Sequence, residues 1–222
     1  MRMFRPGGES SRNLWQRHLV CMSARPFTEP EYLTLSQHFA SAHRTRDRLL
    51  LILGCATGYR IQELLSLTVG QVWDGADVVR EITVARKDLK GGRGGKYVRA
   101  VKGRRVPLSE AVRGAVLDHL TAIGPGETDR FLFATGRSHD AGMNRSQAFR
   151  VLVDACTAFG IDTTRVSTHS LRKTFVGRCC AASGCDLIKT QRAVRQSSPI
   201  TIARYLETDT ADLDRLVLTL AA

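Results

Sequence analysis

The hydrophobic period of this chain switches from helical to alternating and back again, and that switch limits the folds open to it. From Val78 to Val106, in "VVREITVAR" and "YVRAVKGRRVP", Val, Ile and Thr alternate with charged residues, the spacing of strands with one buried face. The glycine-rich "KGGRGG" separates the two runs, so together they predict a β-hairpin with a long, basic turn. On either side of it apolar residues recur at helical spacing. The expected fold class is therefore α+β, mostly helical, with a small antiparallel hairpin or sheet.

The helical segments carry their own start signals. Thr28 and Glu31 form a capping-box pattern ahead of Tyr32, Leu35 and Phe39. A second helix is expected from about Thr45 to Ala56. A third begins near Arg60, after Thr57-Gly58, with Ile61, Leu64 and Leu65 on its buried face. Helical spacing returns from Ser109, with Val112, Val116 and Leu120, and again from Asn144, with Phe149, Leu152, Val153 and Cys156. Between these two, "GPGETDRFLFATGRSHDAG" reads as loop broken by the apolar "FLF". There is no internal repeat and no low-complexity tract. A chain of 222 residues can bury a real core. The expected organisation is a basic lead segment over residues 1–26 and one domain over residues 27–222.

Composition removes several function classes. The longest nearly apolar run, Leu49 to Ala56, is far short of the roughly 20 residues that span a bilayer. Residues 1–26 carry arginines 2, 5, 12, 17 and 25 without an apolar core of signal-peptide length, so a cytoplasmic protein is expected. Cysteines 21, 55, 156, 179, 180 and 185 include no CxxC pair and read as reduced thiols, not as a zinc site. The 33 Lys and Arg against 21 Asp and Glu leave a net charge of +12. Such a surface gains free energy by releasing counterions from a polyanion, so a polyanionic partner is the leading inference.

Three segments carry residues suited to chemistry on a phosphate. "THSLRKTFVGRCCAA" reads as a helix capped by Thr168. At 100° per residue His169, Arg172, Lys173 and Val176 share one side, and Leu171, Phe175 and Ala182 the other, which predicts that the basic side faces outward. Arg60 opens a helix directly after Gly58, with Glu63 three residues on. A guanidinium held there presents a rigid fork of donors, which suits a phosphate. Near the end of the chain, in "QSSPITIARY", Ser198 is a good N-cap and Pro199 a good first helical residue, so a short helix carries Tyr205.

Together these segments resemble the tyrosine recombinase (phage integrase) family, whose catalytic domains in turn resemble type IB topoisomerases. The resemblance rests on "TGYRIQELLSL" with Arg60, on "HSLRKTF" with His169 and Arg172, and on "QSSPITIARY" with Tyr205, in that order. It covers about residues 27 to 222. The family's catalytic lysine lies in the hairpin turn, where Lys90 is the choice and Lys96 and Lys102 are the alternatives. Where many relatives carry His or Trp this chain has Gln196, whose amide donates a hydrogen bond without carrying charge. A helical core-binding domain usually precedes the catalytic one. Twenty-six residues are too few for it, which implies a minimal enzyme or a fragment.

The resemblance implies transesterification, in which the Tyr205 hydroxyl attacks a DNA phosphodiester and leaves a 3′-phosphotyrosine and a free 5′-hydroxyl. Arg60 and Arg172 would hold the nonbridging oxygens, His169 would help manage the tyrosine's proton, and Lys90 would protonate the departing oxygen. No metal, ATP or other cofactor is implied. The implied partners are double-stranded DNA and further copies of the chain, four protomers around two duplexes, with the protein on the nucleoid when bound. The competing readings are a topoisomerase-like relaxer and a DNA-binding regulator that keeps the fold without the chemistry. The tail "ETDTADLDRLVLTLAA" places Leu213, Leu216, Val217 and Leu220 on one stripe behind an Asp209 cap, predicting an amphipathic helix over about 209–221.

Overall fold

The computed structural model describes residues 24–41, 44–84, 104–124, 126–135 and 141–194, together with residues 202 and 218. The hairpin turn with Lys90, Lys96 and Lys102, the segment with Gln196 and Tyr205, and the body of the expected tail helix lie outside the described residues.

Thr28 and Glu31 close the expected capping box, Thr28 N–H donating to Glu31 Oε2 at 2.8 Å and Glu31 N–H to Thr28 Oγ1 at 3.4 Å. Behind it runs α1, Glu29–Ser41, which buries Leu35 and Phe39. The chain ahead of α1 is docked as well. Arg25, expected in the lead segment, donates its N–H to Arg165 O at 2.9 Å and its guanidinium to both carboxylate oxygens of Glu31.

The second helix, α2 (Thr45–Thr57), buries Leu49, Leu50, Leu51, Ile52 and Leu53 in succession. A helix apolar all round belongs at the centre of a core. It packs on α1, on α4 (Glu110–Ile123) and on α6 (Thr168–Ala182). At Gly54 a Cβ would stand 2.8 Å from Leu171 Cδ1, so the glycine sets how closely α2 and α6 approach. The short α3 (Ile61–Leu65) buries Ile61, Leu64 and Leu65 as its spacing predicts, and buries Glu63 too.

Strands β1 (Glu81–Val84) and β2 (Arg104–Pro107) pair antiparallel, with Ile82 opposite Val106. Along β1 exposed and buried residues alternate, Ile82 and Val84 facing the core. Leu108 N–H donates to Arg80 O. The alternation of an antiparallel ladder therefore puts Pro107, which has no N–H, where none is required. A second pair, β3 (Ala134–Thr135) with β4 (Ala141–Gly142), follows directly on the apolar "FLF" segment, where the sequence predicts loop.

Ser109 caps α4 and Asn144 caps α5 (Arg145–Ala158), both as expected. Leu152 and Cys156 are buried on α5, whereas Phe149 is 41% exposed, a difference from its expected core position. The cap of α6 is Ser167 and not Thr168: Ser167 Oγ accepts from His169 N–H at 3.1 Å, and Thr168 is the first helical residue. One helix was not expected at all. It is α7 (Leu187–Val194), where Asp186 Oδ1 accepts the N–H groups of Ile188 and Lys189, both at 2.9 Å. Cys55, Cys156, Cys179, Cys180 and Cys185 are free thiols, and burial pushes Cys55 up to about 12. Among the described residues no helix is long and apolar enough to cross a membrane.

Candidate functional site

The site grows from the end of α2. Gly58 follows the last helical residue with φ 58° and ψ 24°, a left-handed conformation that costs a residue with a Cβ roughly 1–2 kcal/mol. Its N–H donates to Gly54 O, and the chain turns sharply. Space gives a second reason for glycine, since a Cβ there would lie 2.1 Å from Phe175 Cδ1 on α6.

Arg60, two residues on, stands in extended conformation as the cap of α3. Glu63 fixes it twice, accepting the Arg60 N–H on Oε2 and the guanidinium Nη1 on Oε1, each at 2.9 Å. The Glu63 side chain is 2% exposed and that of Arg60 is 40% exposed. A buried carboxylate thus orients a guanidinium that still reaches solvent, so the ion pair and a site facing a ligand coexist.

From the other end of the domain α6 brings Arg172. Its Nη1 donates to the carbonyl oxygen of Gly58, 114 positions earlier in the chain. Carbonyls at a helix C-terminus lack intrahelical partners and carry the negative end of the helix dipole. The end of α2 is therefore a natural seat for a cation.

This seat corrects the expected orientation of α6. Arg172 and Lys173 are each only 3% exposed, and Val176, expected on the same outward side, is fully buried with Val194 and Ile202. Of that side only His169 is exposed, while Ala182, expected to face the core, is exposed. The helix is clasped from several directions, because Thr174 Oγ1 also accepts Phe27 N–H at 2.8 Å.

The field around His169 ties the pieces together. Its pKa is lowered, first by partial desolvation and then by Arg145, Arg172 and Arg60. The imidazole is thus neutral at physiological pH and available to accept or donate a proton. Arg145, the first residue of α5, did not stand out in the sequence. The cap pattern at Asn144 marks a helix start there but nothing that singles out the arginine behind it.

The structure therefore brings Arg60, His169 and Arg172 into one positive locus and adds Arg145 to it. Lys90, Lys96, Lys102, Gln196 and Tyr205 lie outside the described residues. Ile202, three positions before Tyr205, is helical and fully buried against Val176 of α6 and Val194 of α7. Chemically, fixed guanidinium donors beside a neutral imidazole suit an oxyanion whose charge grows during reaction. Among the described residues no group of three or more His, Cys, Asp or Glu is arranged to hold a metal.

Comparison with known proteins gives a consistent picture. The sequence profile described as the phage integrase family matches residues 25–211. No curated protein matches in sequence. Among solved structures, the chain is similar to the XerA recombinase at 22% identity and TM-score 0.66, covering 90% of this chain and 64% of that one. It is similar to the Tn1549 transposon integrase in complex with transposon right end DNA at 18% identity and TM-score 0.62, covering 90% and 66% respectively. The XerH site-specific recombinase, bound to its palindromic difH substrate after cleavage, gives 18% identity and TM-score 0.64, covering 89% and 53%. The chain thus spans between about half and two thirds of these proteins. The fold they share with it is the mostly helical one with a small antiparallel sheet expected from the sequence.

Proposed function

Because the chain belongs to the phage integrase family, we propose that it is a site-specific recombinase that cleaves and rejoins DNA strands through a 3′-phosphotyrosyl intermediate. The observation that carries this reading is the bond from Arg172 to the Gly58 carbonyl, which seats one arginine beside the loop that fixes another, Arg60. Two forks of donors assembled from distant segments are what a phosphodiester requires when both of its nonbridging oxygens gain charge.

Tyr205 is the proposed nucleophile. Its hydroxyl oxygen attacks phosphorus, the bond to the 5′-oxygen breaks, and the strand is left as a tyrosyl ester. Phenols hold their proton until pH near 10, so attack at neutral pH needs a nearby acceptor and a positive field. A neutral His169 can take that proton, and Arg60 and Arg172 stabilise the charge that builds on the oxygens. Lys90, with Lys96 and Lys102 as alternatives, gives a proton to the departing 5′-oxygen. Gln196 donates a further hydrogen bond to the phosphate. The ester conserves the energy of the broken bond, so attack by a 5′-hydroxyl reverses the chemistry without a nucleotide cofactor.

Duplex DNA is the proposed partner, supported by the net charge of +12 and by the DNA held in the Tn1549 integrase and XerH structures. Strand exchange requires several copies of the chain on two duplexes, and such a protein would work on the nucleoid. Incubation with nicked duplexes carrying candidate junction sequences tests the reading. A covalent protein–DNA adduct that depends on the junction sequence is expected. An adduct equally abundant on any duplex would favour relaxation without a defined site, and no adduct on any duplex would leave only DNA binding.

A further inference from the structure

Helix α6 ends in a Schellman motif. Ser183 is its C-cap, Gly184 follows with φ 65°, and the N–H groups of Gly184 and Cys185 donate back to Ala181 O at 3.1 Å and to Cys180 O at 2.7 Å. This turn brings together the side chains of the two residues that its outer bond joins, commonly as an apolar contact. Here both are cysteines, and the Cys180 thiol lies within interacting reach of the Cys185 thiol. We propose that Cys180 and Cys185 are a redox-active pair, which a small-molecule disulfide closes reversibly into a protein disulfide across the corner between α6 and α7. Such a pair operates whether or not the chain acts on DNA.

Three observations support the pairing. First, the two thiols differ in access: Cys180 is 3% exposed, whereas Cys185 is exposed. An oxidant meets one of them, and the other stands behind it. Second, Cys185 itself has φ 59°, a left-handed conformation that, among the described residues other than glycine, only Arg165 shares. Glycine adopts it without steric cost, so the turn alone does not call for a cysteine there. Third, the neighbouring Cys179 packs elsewhere, against the cluster of Val176, Val194 and Ile202. The turn therefore selects Cys180 and not the residue before it.

The chemistry runs in two exchanges. Burial, and after it the Cys185 thiol, push Cys180 up to about 11, so at neutral pH it is a protonated thiol and not the first attacking group. Cys185 reacts first. As a thiolate its sulfur bonds to one sulfur of the small-molecule disulfide, whose S–S bond breaks and releases one thiol. Cys180 then gives up its proton to solvent, its sulfur bonds to that of Cys185, and the second half of the small molecule leaves as a thiolate that takes up a proton. Two protein thiols are oxidised to one disulfide, and the small-molecule disulfide is reduced to two thiols. Excess thiol reverses both steps. The reduced corner is held by noncovalent contacts, such as the 3.0 Å bond between the hydroxyls of Ser183 and Thr190, and oxidation adds a covalent tie.

The test exposes the full chain to oxidised glutathione under native conditions, alkylates the thiols that remain, and analyses by mass spectrometry the tryptic fragment of residues 179–189, which carries Cys179, Cys180 and Cys185 together. In wild type the fragment is expected to hold an internal disulfide and no glutathione, with the alkyl label on Cys179, and excess reduced glutathione is expected to restore its thiols. In urea, where the turn is lost, the label should divide between Cys179 and Cys180. Among variants in native buffer, Cys179→Ser should close its bridge about tenfold or more faster than Cys180→Ala, which should stop with glutathione on Cys185. The wild-type label answers even where a variant folds poorly. A native wild-type fragment that keeps its thiols, that stays joined to glutathione without closing, or whose label divides as it does in urea would overturn the pairing.

Discussion

The guanidinium of Arg172 is bonded to the carbonyl oxygen of Gly58, and the bond joins the end of one core helix to the middle of another. It explains why an arginine 3% exposed is tolerated on α6. A buried cation needs acceptors, and the end of α2 offers one with the partial charge of a helix dipole behind it. It also makes Gly58 a residue with three tasks, since its φ, its lack of a Cβ and its carbonyl all serve the same joint.

Gly58→Ala should therefore destabilise the protein by more than its backbone conformation alone would cost. Gly160 is the control, because it has a similar φ of 63° and nothing within 4 Å of where a Cβ would stand. Gly160→Ala is expected to cost roughly 1–2 kcal/mol. Gly58→Ala adds a clash with Phe175 worth roughly 1–3 kcal/mol more. Urea denaturation of both variants measures the difference, and equal losses would show that Phe175 moves aside freely.

Glu63→Gln should leave DNA binding nearly unchanged and slow formation of the covalent adduct about tenfold, the equivalent of about 1.4 kcal/mol. An amide at this place keeps one acceptor oxygen but turns its NH₂ toward either the Arg60 N–H or the guanidinium. Either way Arg60 keeps only one of its two bonds to residue 63, so the guanidinium is held less firmly without losing its charge. Single-turnover cleavage at saturating protein separates the two effects. Weakened binding with an unchanged rate would mean that Arg60 only anchors DNA.

Much of this architecture is legible in the sequence where the deciding forces are local. The box at Thr28 and Glu31, the caps at Ser109 and Asn144, and the alternation through Ile82 and Val84 all act within a few residues. What misleads is the assumption that charged residues on a helix face water. Arg172 and Lys173 are buried on α6, and the acceptor at Gly58 that helps make this tolerable lies 114 positions away, beyond the reach of any periodicity. The helix Leu187–Val194 leaves little trace in the sequence, because it is short and begins on an Asp186 cap with no long apolar stripe. Arg60, His169 and Arg172 stood out through the order and spacing of their motifs. Arg145 joins them only through the folded arrangement.

Acid should weaken the fold through His119. It is 2% exposed, its Nε2 bonds to Leu132 O at 3.0 Å and its Nδ1 to Thr45 Oγ1 at 3.0 Å, so the neutral tautomer with the proton on Nε2 fits both partners. Burial, the largest cause, lowers its pKa, with Arg46 and Arg130 acting in the same direction. The unfolded chain then takes up a proton near the usual value of about 6.5 while the folded chain does not. Stability is lost as pH falls through that value and levels off below the depressed one, at up to about 1.4 kcal/mol per pH unit in between. His119→Gln keeps a donor for Leu132 and cannot titrate. Its stability should fall less steeply than that of wild type between pH 7.5 and 5.5 in urea denaturation; parallel slopes would mean that His119 is protonated in the folded protein.

The most direct test of the account is a comparison of single tyrosine variants on one nicked duplex that supports adduct formation. The chain has four tyrosines, Tyr32, Tyr59, Tyr97 and Tyr205, and each is changed in turn to phenylalanine. Only Tyr205→Phe is predicted to abolish the covalent protein–DNA adduct while DNA binding stays nearly intact, because that change removes the attacking oxygen and little else. Tyr32→Phe, Tyr59→Phe and Tyr97→Phe are each predicted to keep forming the adduct. An adduct that persists in Tyr205→Phe and disappears in one of the others would contradict the account.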